Sequence, residues 1–139
     1  MRMMTARLFA RLIKESELAA KLSLIGIEKD GCVKVGSTGD LTVLDLHPLD
    51  KNPLEAVLGA QWAEGRVLLD LHQTKFIDSA VIGWLISSQR EFRGKGGVLA
   101  VHSIEPRVRR ILDLLKVGQM VNLFDNETAA RRFALKPAA

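Results

Sequence analysis

The sequence predicts a single α/β domain, a mixed β-sheet with helices packed against it, preceded by an N-terminal amphipathic helix. Three observations predict it. From Cys32 onward, short β-type runs alternate with segments of helical periodicity. One of those runs, Val67-Leu-Leu-Asp-Leu71, is mostly apolar, as suits a strand covered on both faces. The 139 residues, 47% hydrophobic and 26% charged, can bury a core and are too few for two ordinary domains.

Residues 5–23 read as the amphipathic helix. Leu8, Phe9, Leu12, Ile13, Ser16, Ala19 and Ala20 recur at three- and four-residue intervals on one face. Arg7, Arg11, Lys14 and Lys21 share the opposite side with Leu18. Such a helix packs on its own domain, on a second copy, or on an anionic membrane surface. A composition shift at Gly26–Gly31 then divides the chain into an N-terminal helical extension, residues 1–29, and one domain, residues 30–139.

Within the domain, Cys32–Val35 alternates as a strand does, and Leu41–Leu46 is rich in aliphatic and β-branched residues. Pro53 opens a helix at its first turn, where a missing N–H costs nothing, and the helix runs to Trp62. Val67–Leu71 is a strand, Ser79–Phe92 a helix, and Gly94-Lys-Gly-Gly97 a turn. Val98–Val101 is a strand. Glu105–Leu115 is a helix with Pro106 in its first turn and Val108, Ile111, Leu112 and Leu115 on one stripe. Met120–Phe124 is a weak strand, and Asn126 caps a closing helix that ends at Leu135. The order is β-β-α-β-α-β-α-β-α.

Composition excludes several classes of protein. The one cysteine, Cys32, allows no internal disulfide and predicts a reducing, cytoplasmic setting. No apolar run approaches the roughly 20 residues of a membrane-spanning helix. The net charge is +4, but residues 1–21 hold five of the 20 cations and only two of the 16 acids, so the domain itself is nearly neutral. There is no tyrosine for base stacking either, so the reading is no nucleic-acid partner. His47, His72 and His102 lack metal-ligand spacing. Arg93-Gly-Lys-Gly-Gly97 follows a helix and lacks the Gly-Lys-Ser/Thr ending of a phosphate loop. Ser79 lacks the Gly-x-Ser-x-Gly elbow of a hydrolase nucleophile. The sequence therefore predicts no enzyme, no cofactor and no metal. The Arg107/Arg109/Arg110 cluster reads as a solvated helix face or a contact for an acidic partner.

The informative stretch is Val67–Phe92. Asp78 is placed to cap the helix that follows, and Ser79 falls on its first turn beside unsatisfied N–H groups and the positive end of the dipole. A phosphate on Ser79 would be favoured by those groups and would change the local charge by roughly −2. At about 100° per residue, Ser79, Gly83 and Arg90 align along one stripe, with Ser87 nearby. Val81, Ile82, Leu85, Gln89 and Phe92 face the core, with Trp84 at the boundary. Gly83 costs a helix interior about 1 kcal/mol against Ala, and its bare backbone lets another chain come close.

These residues form an ordered set: Val67–Leu71, Phe76-Ile-Asp-Ser79 with Gly83, Gly96-Gly97 before Val98–Val101, Pro106-Arg-Val-Arg-Arg-Ile-Leu112, Gly118, Leu123-Phe124 and the closing helix. In this set, over roughly residues 30–135, the chain resembles the STAS family, the anti-sigma factor antagonist (anti-anti-sigma factor) domain. The resemblance implies a mixed β-sheet with helices packed mainly on one side, and a phosphoprotein of bacterial transcription control. It implies that Ser79 is phosphorylated by a partner anti-sigma factor that is a serine kinase, and that a serine phosphatase resets the switch. Asp78, Asp50, Gly83 and Arg90 are then the partner-binding positions. The chain departs from the family pattern at Ala80-Val81, where Ser-Gly is usual, and at His47-Pro-Leu-Asp50, where a glycine is replaced. The family also supplies an alternative: a constitutive STAS scaffold subunit of a lipid-trafficking transporter or a stress-sensing complex, in which the N-terminal helix contacts the membrane surface.

Overall fold

The computed structural model describes residues 21–42 and 52–137. It contains a five-stranded sheet in the order β1 Leu22–Ile27, β2 Cys32–Ser37, β3 Arg66–Asp70, β4 Val98–His102, β5 Asn122–Phe124. β1 is antiparallel to β2, and every other neighbour is parallel. Helices α1 Pro53–Leu58, α2 Ser79–Lys95 and α3 Pro106–Leu114 connect the parallel strands, and α4 Glu127–Ala134 closes the described chain.

The arrangement of layers follows from the connections. Strands β2 to β5 are added in one direction across the sheet, so right-handed crossovers carry α1, α2 and α3 to the same face. There Val35, Val67, Leu69, Leu99 and Val101 meet Leu54, Val81, Leu85, Phe92, Val108 and Leu112 in one core. Among the described helices, α4 alone covers the opposite face. It lays Ala130 and Ala134 on Cys32, Leu68 and Ala100, small residues that let it approach closely. β3 is covered from both sides, which is why Val67, Leu68 and Leu69 are all buried. The predicted mixed sheet with helices mainly on one side is the observed one.

Three expectations need correction, and a fourth, the strand Leu41–Leu46, falls mostly outside the described residues. The predicted helix over 5–23 extends too far: residues 1–20 lie outside the described residues, and Leu22–Ile27 is β1. The helical extension therefore does not reach residue 29. The missed signal is Asp30-Gly31. Gly31 takes φ 90°, and the Asp30 carboxylate accepts from Cys32 N–H at 2.9 Å, closing a hairpin that pairs Leu22 with Ser37. The predicted strand Leu41–Leu46 has only Leu41 and Thr42 among the described residues. Leu41 makes an isolated parallel bridge to Ile77. α1 stops at Leu58 rather than Trp62, because Gly59 leaves helical geometry at φ 91°. Trp62 instead packs edge-on against Phe92, with ring centroids 5.3 Å apart. α2 runs to Lys95, three residues beyond Phe92, with Arg93 and Lys95 on its negative end and a left-handed Gly96 as its stop. Smaller differences at the ends of β5 and α3 leave the order of elements intact.

Candidate functional site

β3 delivers the chain to the site. After Asp70 the backbone is held on both sides. Leu71 N–H donates to the His102 carbonyl at 3.2 Å, and Leu41 N–H donates to the Phe76 carbonyl at 3.0 Å. Thr74 is fully buried and hydrogen-bonds Ser37 through paired hydroxyls. Ile77 sits in the core, so the next residue has little freedom. Asp78 is extended, and its carboxylate accepts from Val81 N–H at 3.1 Å as the predicted N-cap.

α2 presents the predicted stripe. Ser79, Gly83, Ser87 and Arg90 are all exposed, while Val81, Ile82, Trp84, Leu85, Ser88, Gln89 and Phe92 are buried. The Ser79 hydroxyl makes no hydrogen bond to another described residue. A methyl group built on Gly83 would meet nothing within 4 Å, so no packing inside the fold requires glycine there. Ser87 turns its hydroxyl back to the Trp84 carbonyl at 3.1 Å.

One residue that the sequence reading missed braces this helix from below. Asn52 caps α1 by accepting from Leu54 N–H at 2.9 Å. The same oxygen accepts from Trp84 Nε1 at 2.9 Å, and its amide donates to the Ser88 hydroxyl at 2.8 Å. The signal was available, because an asparagine directly before Pro53 is a helix start. Its reach to α2 depends on packing that no local pattern encodes. A cleft of about 670 Å³ opens beside the stripe, between α2 and the chain after α1. Trp84, Ala80 and Ser87 line one side of it, and Glu55, Trp62 and Glu64 line the other.

Of the predicted site residues, Asp78, Ser79, Gly83 and Arg90 lie on one helix, the last three on its exposed stripe. Asp50 lies outside the described residues, as does His47. The fold also does something the spacing of histidines did not suggest. Asp70 and His102 are register partners on β3 and β4, and His72 Nδ1 lies 2.8 Å from Asp70 Oδ1. His102 is buried, which pushes its pKa below the ordinary histidine value, and its Nδ1 pairs with Ser103 Oγ at 2.8 Å. Among the described residues no group of three His, Cys, Asp or Glu gathers as metal ligands, and no helix is long and apolar enough to cross a membrane.

The stripe can therefore accept a modification or a partner backbone without disturbing the core beneath it. Comparison with known proteins bears on the choice. A family model described as "Mlab, STAS domain" matches residues 27–122. An anti-sigma F factor antagonist of Paenibacillus polymyxa is 31% identical over 64 residues, 46% of this chain and 55% of that protein. The chain thus spans about half the length of this curated relative. A solved structure from Thermotoga maritima, assigned as an anti-sigma factor antagonist, superposes with a TM-score of 0.67 at 21% identity, over 80% of this chain and 92% of that one. The anti-sigma factor antagonist SpoIIAA, solved in its unphosphorylated form, superposes with a TM-score of 0.51 at 18% identity, over 84% and 97%. At these identities the superpositions show the shared fold.

Proposed function

The chain belongs to the STAS domain family, and on that premise we propose that it is an anti-sigma factor antagonist, a binding module switched at Ser79. The observation that carries the proposal is the exposed Ser79 hydroxyl on the first turn of α2, without a hydrogen bond to another described residue and one turn before a glycine whose missing side chain no described residue requires. A likeness to named anti-sigma factor antagonists supports it.

In this reading the unmodified stripe binds a partner anti-sigma factor, a serine kinase. The partner's backbone comes down on Gly83, and Arg90 and Asp50 supply flanking contacts. Transfer of the γ-phosphoryl group of ATP to the Ser79 oxygen releases ADP and the hydroxyl proton. The dianion formed sits at the positive end of α2, so the fold tolerates it. It adds a charge of roughly −2 beside Asp78 on a surface matched to a neutral hydroxyl, and this weakens the complex. A serine phosphatase restores the hydroxyl by hydrolysis. Asp78 is a positioning residue: its carboxylate fixes the first turn and so fixes where the Ser79 oxygen points.

Paired baits test the proposal. Wild type and Ser79→Asp are used to capture proteins from the native cell extract, identified by mass spectrometry. A serine kinase of the anti-sigma type retained by wild type and lost by Ser79→Asp is the expected result. Equal retention of that kinase by both would refute the switch.

The alternative, a constitutive STAS scaffold subunit of a lipid-trafficking transporter or stress-sensing complex, is favoured by the Mlab description of the matching family model. It predicts that Ser79 is dispensable and that removing residues 1–20 abolishes association with the complex or membrane. The deletion must stop at residue 20, because β1 begins at Leu22. Intact association after that deletion would argue against the scaffold.

A further inference from the structure

Five exposed cations on and beside α2 and α3 outnumber the acids among them. Arg90 and Arg93 stand on the last turns of α2, Arg107 and Arg110 on α3, and Lys116 just beyond it, all exposed. None forms an ion pair with another described residue. Of the nearby acids, Asp113 and Asp125 share Arg109, at 3.1 and 3.8 Å, and Glu105 accepts from the Arg107 backbone N–H at 2.9 Å. Glu91 stands at the margin. Glu28, Asp30 and Glu127 are tied to Lys34 and Arg131 beside α4.

Apolar side chains lie among these cations. Leu114 is 74% exposed, Leu115 57%, Met120 43% and Ile111 36%. The core does not explain them, since α3 already buries Val108 and Leu112. The face is also hollowed. A depression of about 240 Å³, walled by Ile86, Arg90, Arg93 and Met120, separates α2 from the 3₁₀ turn Val117–Gln119. Another, of about 540 Å³, runs past Leu114 and is bordered by Ile104, Pro106, Arg110 and the Arg109–Asp113 pair. Hollows edged by exposed apolar side chains and guanidinium groups suit the side-chain ridge of a helix with carboxylates along its flanks. A flat bilayer would not enter them, and the face carries no Trp or Tyr of the kind that anchors at a lipid interface.

We propose that this face docks an acidic amphipathic helix of a partner protein. Its apolar residues fill the two hollows, and its carboxylates pair with Arg93, Arg107 and Arg110. The contact needs no modification of Ser79. It persists in Ser79→Asp, so its failure and that of the switch can be told apart.

The test places a photo-crosslinking benzoylphenylalanine at Leu114 in the full chain in its native cells, and the crosslinked peptide is sequenced. The expected adduct is a segment rich in Asp and Glu, with apolar residues at three- and four-residue spacing. Arg93→Glu combined with Arg110→Glu lowers its yield at least tenfold while the circular dichroism spectrum and unfolding midpoint stay unchanged. Leu115→Lys, assayed separately, gives the same loss and serves if the double variant fails to fold. An adduct with lipid, with residues 1–20 of this chain, with a second copy, or with a neutral or basic segment overturns the proposal. So does the absence of an adduct, or a yield indifferent to these substitutions.

Discussion

Replacing Gly83 with alanine separates what the fold needs from what a partner needs. Gly83 is an interior position of α2, exposed, and a methyl group there meets nothing within 4 Å. Helix propensity alone should then make Gly83→Ala more stable by about 1 kcal/mol. For a chain of this length that raises the unfolding midpoint by about 3–5 °C. The same methyl projects from the surface assigned to the partner. If the partner backbone rests on Gly83, the overlap costs about 1–3 kcal/mol, on the order of five- to 150-fold in Kd. Thermal and urea unfolding measure the first effect, and titration calorimetry against the captured partner measures the second. The prediction is opposite signs, stability up and affinity down. A destabilised Gly83→Ala would refute the packing argument, and unchanged affinity would remove Gly83 from the interface.

Other predictions concern the frame that holds the stripe. Asn52→Ala removes the α1 cap and leaves Trp84 Nε1 and the Ser88 hydroxyl without their partner. It should cost about 2–4 kcal/mol by urea unfolding, and a loss under 1 kcal/mol would show that water replaces the amide. Gly97→Ala drives a methyl into the Ala63 carbonyl and to 2.6 Å from the Gly65 carbonyl oxygen, both backbone atoms. A loss of about 1–3 kcal/mol or more is expected, against the gain at Gly83. His102 is held neutral by burial, so the unfolded chain binds its proton more readily than the folded one. Stability should therefore be intact above the ordinary histidine pKa of about 6.5 and fall as pH drops through it toward the lower folded value. In His102→Gln the slope of unfolding free energy between pH 5 and 7 should flatten. An unchanged slope would mean that His102 does not titrate between the two states.

The sequence made α2 legible because both of its signals are local. Asp78 announces the start, and the buried set from Val81 to Phe92 follows a 3.6-residue period that burial reproduces. The run Val67–Leu71 showed its two-sided burial through near-continuous apolarity, which only a central strand needs. β1 was lost for the opposite reason. As an edge strand it buries only Leu22 and leaves Leu24, Ile25 and Ile27 exposed, so alternation is weak and helical spacing upstream overran it. The Asp30-Gly31 turn could have rescued it. The Asn52–Trp84–Ser88 bracket and the Asp70–His102 pairing join residues some 30 or more positions apart. Only the parallel crossovers bring them together, and no short window of sequence carries that information.

The most direct test of the central claim is the affinity of one captured partner for three proteins: wild type, Ser79→Ala and Ser79→Asp, with unfolding measured on the same samples. A carboxylate at the first turn of α2 should leave stability unchanged or raise it by about 0.3–1 kcal/mol through the helix dipole. The account predicts that Ser79→Ala binds as wild type does, and that Ser79→Asp binds at least tenfold more weakly, about 1.4 kcal/mol, with no loss of stability. Equal affinity across all three would contradict it and return Ser79 to the role of a helix-start residue.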